Sequence, residues 1–411
     1  MKNIKLHWQV LICMVLGCLL GLFLKNVIFI GALYKGITIL GVLFIRLLKM
    51  VMVPLIFSSI ILGVSSIGSG RKVGRIGLKT LLYYVCTSLF AILTGLFLSN
   101  MLKPGVGAQI IQNSSFDPTK ISPPSSTLDI LIRMIPTNPF SALANGDMLG
   151  IIFFAIFFGV VLNMIDKKQS DTIKSFIDAF FKVIMRITEI IIKCAPIGVL
   201  GLMTKTVYTS GLDIFINLAK YMGTIALGLS IHLFITLPII MILFIKINPI
   251  KHFKAMGSAM LTAFSTSSSN ATLPVTIKCV RQNAKVSNEI SSFVLPIGAT
   301  INMDGTALYE CAGVLFISQV LGVTLGIEQQ MIVVVTALLA SIGAAGIPSA
   351  GLVMIFIVTS AVGLNDPQVG VIIGAMLAID RPLDMFRTMV NVTSDSVGAA
   401  VIAKSEGESL Y

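Results

Sequence analysis

The 411-residue chain is 55% hydrophobic and 12% charged, with a mean hydropathy of +0.95, against roughly 45–50% apolar and 25% charged residues in soluble domains. That balance excludes a soluble globular protein and points to one that crosses the lipid bilayer many times. The net charge of +12 does not imply nucleic acid as a partner, because the lysines and arginines lie in short loops between apolar runs and read as topology signals. Spanning helices are predicted over about 8–30, 36–67 and 75–102. The opening run MKNIKLHWQVLICMVLGCLLGLFL is basic and then apolar, like a secretion signal. Its length and the lack of a small-residue cleavage pattern favour a first spanning helix.

Between helices 2 and 3 lies GSGRKVGRIGLK, a basic loop and so cytoplasmic. Helix 3 carries Tyr83, Tyr84, Thr87 and Ser88 and ends at LKPGVGAQ. The polar, Pro- and Ser-rich stretch to about 126 has almost no cations and reads as an outer loop. Segment 4 begins near Thr127, is broken by IPTNPF and resumes over 149–165. Helix 5 covers about 172–207 with an interruption near CAPIG, and helix 6 about 213–246. The basic loops DKKQSD and KINPIKHFK then fall on the same side as the first, so charge and crossing number agree.

From about Pro249 the texture changes. AMLTAFSTSSSNATLPVTIKCV has two apolar arms too short to span, since a crossing takes roughly 20 residues. Its polar tip between apolar flanks predicts a re-entrant helical hairpin. Helix 7, about 289–322, contains GATINMDGTALYE, so Asn302, Asp304, Gly305 and Thr306 put a polar break inside a spanning segment. Carbonyls freed by such a break are tolerated only in protein or beside an aqueous cavity, where they can coordinate cations. A second short-armed run over about 330–364 has Gly343, Gly346, Pro348 and Gly351 at its centre. Each hairpin is followed by one full helix, and the two units read as an inverted repeat whose paired interruptions point to the binding site.

The last helix, about 371–404, carries Asp380, Asp384, Arg387, Asn391 and Asp395. Spacings of four, three, four and four residues place all five on one helical stripe. With Arg381, five formal charges lie in a segment otherwise suited to lipid. At roughly 2.5–3.5 kcal/mol each, exposure to hydrocarbon would cost on the order of 10 kcal/mol, so they face protein, water, ions or substrate. Three acids against two arginines leave one negative charge over, which suits a cation. Arg387 is a two-pronged donor for a carboxylate, and Asp384 can hold an ammonium group. Hairpin tips offer backbone N–H groups to a second carboxylate. Asp304 and Asp395, with carbonyls of the helix 7 break, offer hard oxygen ligands for sodium; ligand type alone does not separate sodium binding from carboxylate protonation. The six cysteines and three histidines show no metal-ligand spacing, and HExxH and GxSxG are absent, so neither an enzyme nor a cofactor is expected.

STSSSNATLPVT, INMDGTALYE, SIGAAGIPSAG and DRPLDMFRTMVNVTSDS, in this order, resemble the glutamate/aspartate transporters of the dicarboxylate/amino acid:cation symporter family. YYVCTS and PGVG are similar too, so the resemblance covers most of the chain. It implies an all-α membrane protein of eight transmembrane helices and two re-entrant hairpins, embedded in the cell membrane as a homotrimer. Residues 1–70 and 127–208 would form a static scaffold. Helix 3 in 71–126, and 209–411, would form a moving transport domain with the second hairpin as outer gate.

For the substrate, the resemblance assigns Arg387, Thr306 and the Gly351 amide to the side-chain carboxylate. Asp384, with carbonyls at Ser267 and Ile347, would take the amino group. Asn391 and the Ser269 amide would hold the α-carboxylate, with Ser268 at the same hairpin tip and Thr388 lining the pocket. One sodium site would use Asp395 and carbonyls of Gly298, Asn302 and Asn391. A second would use carbonyls of Thr300, Ser341, Ile342 and Ala344. A third would use Tyr84, Thr87, Ser88, Asn302 and Asp304. Arginine at 387 and aspartate at 384 favour an acidic amino acid over neutral amino acids or C4-dicarboxylates, and Asp395 favours sodium over protons. Glu310 resembles the proton-carrying glutamate of animal members, which leaves a proton component open. Family members place an arginine at the position of Ser267 or Met385; this chain has neither, and Arg381 is the residue that could replace it.

Overall fold

A computed structural model describes residues 6–25, 31–65, 71–108, 135–211, 214–343, 350–364 and 367–411. The regular elements among them are all helical: α1 (Leu6–Lys25), α2 (Gly31–Ser65), α3 (Arg71–Leu102), α4 (Pro139–Asn145), α5 (Met148–Leu162), α6 (Lys167–Lys193) and α7 (Ala195–Ser210). These are followed by α8 (Ile214–Ile231), α9 (Leu237–Ile240), α10 (Pro249–Thr266), α11 (Ser269–Gln282), α12 (Asn288–Ile301) and α13 (Asp304–Val320), and then α14 (Ile327–Gly343), α15 (Ala350–Ala361) and α16 (Pro367–Ser405). Among the described residues, three stretches are long and apolar enough to cross a bilayer: Leu33–Ser65, Arg75–Leu102 and Phe215–Ile245. The expected outer loop lies mostly outside the described residues, as does the tip of the second hairpin.

The interruptions read from the sequence have local causes. In IPTNPF, Asn138 caps α4 by accepting from the Phe140 and Ser141 amides, Pro139 occupies the first turn, and Gly146 ends the helix at φ 68°, which suits the left-handed conformation. The serine run between α10 and α11 is one C-cap followed by one N-cap. Ser267 closes α10 in the left-handed region (φ 52°), uncommon for a residue other than glycine. Ser268 is extended, and its side chain accepts from the Ala271 amide. The chain therefore reverses within two residues, with the first amides of α11 at the tip. The break after α12 is shorter than predicted. Only Asn302 and Met303 leave the helix, and Asp304, Gly305 and Thr306 form the first turn of α13, where an acidic residue matches the positive end of the helix dipole.

Helix α6 pairs a charged face with an apolar one. Ile177, Ile184 and Ile191, seven residues apart, are buried against α2. On its outer side lie the ion pairs Lys182–Asp178 and Arg186–Glu189. Helices α1, α2, α5, α6 and α7 pack chiefly on one another, while α3 and α8 pack with α10 to α16. Helix α16 runs through this second group, touching α10, α11, α12, α13 and α15, and it stays buried from Val390 to Ala400.

The end of the chain ties this group together. Glu406 pairs with Arg75 and, at 2.6 Å, with Lys79 at the start of α3. Glu408 accepts from the Ser287 amide at 2.9 Å. Tyr411 donates its amide to Ala284 O at 3.2 Å, and its hydroxyl meets His252, whose other ring nitrogen reaches Ser396 Oγ at 2.9 Å. Hydrogen bonding to Lys79 and the two nearby cations hold the Glu406 carboxyl below its ordinary value of 4.5. A depressed carboxyl contributes stability above that ordinary value and loses it as the pH falls through the folded one. Glu406→Gln is expected to lower the thermal midpoint at pH 7 by roughly 1–3 °C, with the deficit shrinking below pH 4. Equal midpoints at pH 7 would contradict the tie.

Candidate functional site

All five members of the α16 stripe are buried, together with Thr388, Ser394 and Ser396. Arg387, 1% exposed, is at the centre of one cluster. Its Nη2 donates to Asp384 Oδ1 at 2.8 Å and to Asp380 Oδ1 at 3.0 Å. Its guanidinium carbon lies 3.7 Å from the centroid of the Tyr309 ring, a cation–π contact strengthened by desolvation. Nε and Nη1 have no acceptor among the described residues. A side chain at Gly351 would come within 3.3 Å of Nη1 and 3.0 Å of Thr306 Cγ2, so the start of α15 lies close against the arginine.

Sequence reasoning treated Arg387 and Asp384 as receivers of opposite substrate charges, whereas here they bind each other. Two opposite charges desolvated three residues apart on one helix pair directly. Taking a zwitterion between them requires that pair to part, and Asp380 keeps Arg387 compensated when it does. Arg381 Nη1 lies 3.8 Å from Asp384 Oδ2 and is one-third exposed.

A second cluster lies deeper along α16. Asp304, wholly buried, accepts from Ser88 Oγ at 2.7 Å and Ser394 Oγ at 2.6 Å, and it faces His232 Nε2 at 3.0 Å. Asn302 donates from Nδ2 to Asp395 Oδ1 at 2.9 Å and to Ser394 Oγ at 3.0 Å, and it accepts from Thr87 at 3.4 Å. Tyr84 donates to Val294 O at 2.9 Å. Gly298 is where Asp395 and Tyr84 approach α12: an added Cβ would stand 2.5 Å from both Asp395 Oδ1 and the Tyr84 hydroxyl. Thus Tyr84, Thr87, Ser88, Gly298, Asn302, Asp304 and Asp395 come together, all oxygen-rich and desolvated.

Asn391 links the two clusters. Its Oδ1 accepts from the Gly305 amide at 2.7 Å, satisfying a first-turn donor of α13, while Nδ2 reaches Thr306 Oγ1 at 3.3 Å. Ser267 and Ser269 are buried at the first hairpin tip, and Ser267 Oγ has no partner; α10 and α11 pack on α16. Thr388 Oγ1 bonds its own helix at Asp384 O, 2.8 Å away. The side chain of Thr300 is exposed and bonds its own helix. Ser341 is buried and bonds Leu338 O, and Ile342 is half-buried. Ile347 and Ala344 lie outside the described residues. Glu310 is wholly buried, and neither carboxyl oxygen has a partner among the described residues.

Sequence reasoning gave no role to Tyr309, Ser394 and His232, and it placed Asp380 on the stripe without a partner of its own. A histidine inside an apolar span is an ionisable group in the membrane, a signal that deserved the weight given to the aspartates. The partners of Tyr309 and Ser394 are set by helix packing and leave no mark in their own segments.

The sodium:dicarboxylate symporter family profile matches residues 6–405. Over 415 residues the chain is 37% identical to human excitatory amino acid transporter 3, spanning 89% of this chain and 78% of that protein. It is 32% identical over 403 residues to the proton/glutamate-aspartate symporter of Bacillus subtilis (strain 168), spanning 97% and 94%. It is 33% identical over 422 residues to the proton/sodium-glutamate symport protein of the same organism, spanning 99% and 94%. A transporter family fits a buried site of charged, hydroxyl and amide groups, and the chain belongs to the sodium:dicarboxylate symporter family.

Proposed function

We propose that this protein is a secondary active symporter that carries L-glutamate or L-aspartate into the cell with sodium ions. The observation that carries this reading is Arg387, compensated by Asp380 and Asp384, seated on Tyr309, and left with Nε and Nη1 donors unmet among the described residues. Unmet donors on a buried guanidinium are ones that a carboxylate can satisfy with charge-assisted hydrogen bonds. Asp384, now bonded to Nη2, is the carboxylate that would take the ammonium group, and the α11 amides with Asn391 suit the second carboxylate. Relatives named for glutamate and aspartate support the same substrate class. The Asp304–Asp395 cluster supplies hard, dehydrated oxygen ligands for sodium.

Eight crossings follow if α4 with α5, α6 with α7, α8 with α9, and α12 with α13 each count as one. Two hairpins, α10–α11 and α14–α15, enter without crossing. The packing division between the α1, α2, α5–α7 group and the remainder supports a scaffold and a transport domain moving as an elevator, in a homotrimer of the cell membrane, with α14–α15 as outer gate. A proton-coupled variant of the same transport is favoured by one observation: Glu310, buried beside this site with no partner for its carboxyl among the described residues. One relative is named for protons and another for protons and sodium. A C4-dicarboxylate carrier would use Arg387 but leave Asp384 without an ammonium partner.

Purified protein in liposomes, given labelled aspartate or succinate under sodium or proton gradients, distinguishes these readings. Aspartate accumulation driven by sodium is expected, whereas succinate uptake without aspartate uptake would overturn the substrate. Arg387→Cys is expected to reduce acidic amino acid uptake at least about 100-fold, the scale of removing one partner of a buried charge pair, while admitting neutral amino acids; unchanged aspartate uptake would refute its role. Asp395→Asn and Gly298→Ala are each expected to raise the sodium concentration for half-maximal uptake about tenfold. An unaltered sodium curve in either would remove Asp395 from the ion site.

A further inference from the structure

His232 is wholly buried in the middle of the sixth span. Its segment is π-helical: the Leu237 amide bonds His232 O, five residues back, over His232–Thr236, and a second such turn covers Met241–Ile245. Pro238 lies between them. A proline has no N–H for the i−4 carbonyl and its ring crowds that turn, and widening to a π turn accommodates it. Single π turns recur at functional sites because each shifts the register of one helix face. Here the first such turn begins at His232 and coincides with the contact that its ring makes with Asp304.

Nε2 of His232 stands 3.0 Å from Asp304 Oδ2. Asp304 also accepts from Ser88 Oγ of α3 and Ser394 Oγ of α16, so three donors from three helices surround one carboxylate. An ionised carboxylate only accepts, which fixes Nε2 as the protonated nitrogen whether the ring is neutral or charged. Among the described residues, buried Nδ1 has no partner, and the hydrogen bond to Asp304 is the polar contact that orients the imidazole.

We propose that His232 is a positioning residue for sodium coupling. Its Nε2–H holds Oδ2, and with Ser88 on Oδ1 and Ser394 on Oδ2 it turns the Asp304 carboxylate so that the remaining lone pairs face Tyr84, Thr87 and Asn302. This rests on the reading of Asp304 as a sodium ligand given above. The role needs the donor at the Nε2 position and no change in the charge of the ring. Groups that orient metal ligands typically alter ion affinity about 10–100-fold when lost, while leaving ligand chemistry elsewhere in place.

Two substitutions of matching polarity separate a positioning role from mere core filling. A glutamine amide nitrogen reaches approximately where Nε2 lies, and an asparagine nitrogen falls short, near Nδ1. Sodium titrations of aspartate uptake in liposomes are expected to give His232→Gln a half-saturating sodium concentration within about twofold of the unmodified protein. His232→Asn is expected to raise it about tenfold or more, with aspartate half-saturation at saturating sodium little changed in both. Coincident sodium curves for His232→Gln and His232→Asn, whether shifted or not, would overturn the proposal. If His232→Asn does not fold, a tenfold shift in folded His232→Gln contradicts the donor role and an unshifted curve supports it. Sodium-independent uptake by the unmodified protein would instead overturn the coupling reading, and this proposal with it.

Discussion

The structure depends on keeping ionised groups out of contact with hydrocarbon in the interior of a membrane protein. Arg387 and two aspartates share one stripe of α16, with hydrogen bonds of 2.8 and 3.0 Å between them. A buried pair of this kind is weak evidence for stability, since desolvation can outweigh its Coulombic gain, while removal of one partner typically costs about 3–5 kcal/mol. Such a group is better understood as a charge held ready. Asp380 matters here because it lets the cluster stay close to neutral when Asp384 turns to another cation.

The same constraint organises the second cluster. Among the described residues Asp304 and Asp395 are met by neutral donors, Ser88, Ser394 and Asn302, and Asp304 also by the imidazole of His232. Neutral donors compensate a carboxylate only in part, which leaves negative potential for a small cation. Asn391 holds the Gly305 amide and Thr306 in the first turn of α13, between the Arg387 and Asp304 clusters.

Much of this was legible in the sequence because lipid makes polar residues conspicuous. The stripe from Asp380 to Asp395, the serine tip at Ser267–Ser269 and the break near Asn302 stood out against apolar flanks, and the structure buries or interrupts the chain at each. Tertiary choice was less legible. Spacing alone allowed Arg387 to pair with Asp380, Asp384 or neither, and it pairs with both. Gly305 and Thr306 looked like part of an unwound stretch but lie in a helix, because Asn391, far along the chain, satisfies the amide that the turn exposes. His232 meets Asp304 across 72 residues through a π turn whose register no 3.6-residue periodicity anticipates.

Equilibrium binding of L-aspartate to the purified protein, titrated calorimetrically with and without sodium, tests most directly whether the two clusters form one coupled site. Binding that tightens by at least tenfold as sodium rises is the expected result, and by linkage aspartate tightens sodium binding equally. An affinity for aspartate that is the same at every sodium concentration, or no binding at all, would contradict it.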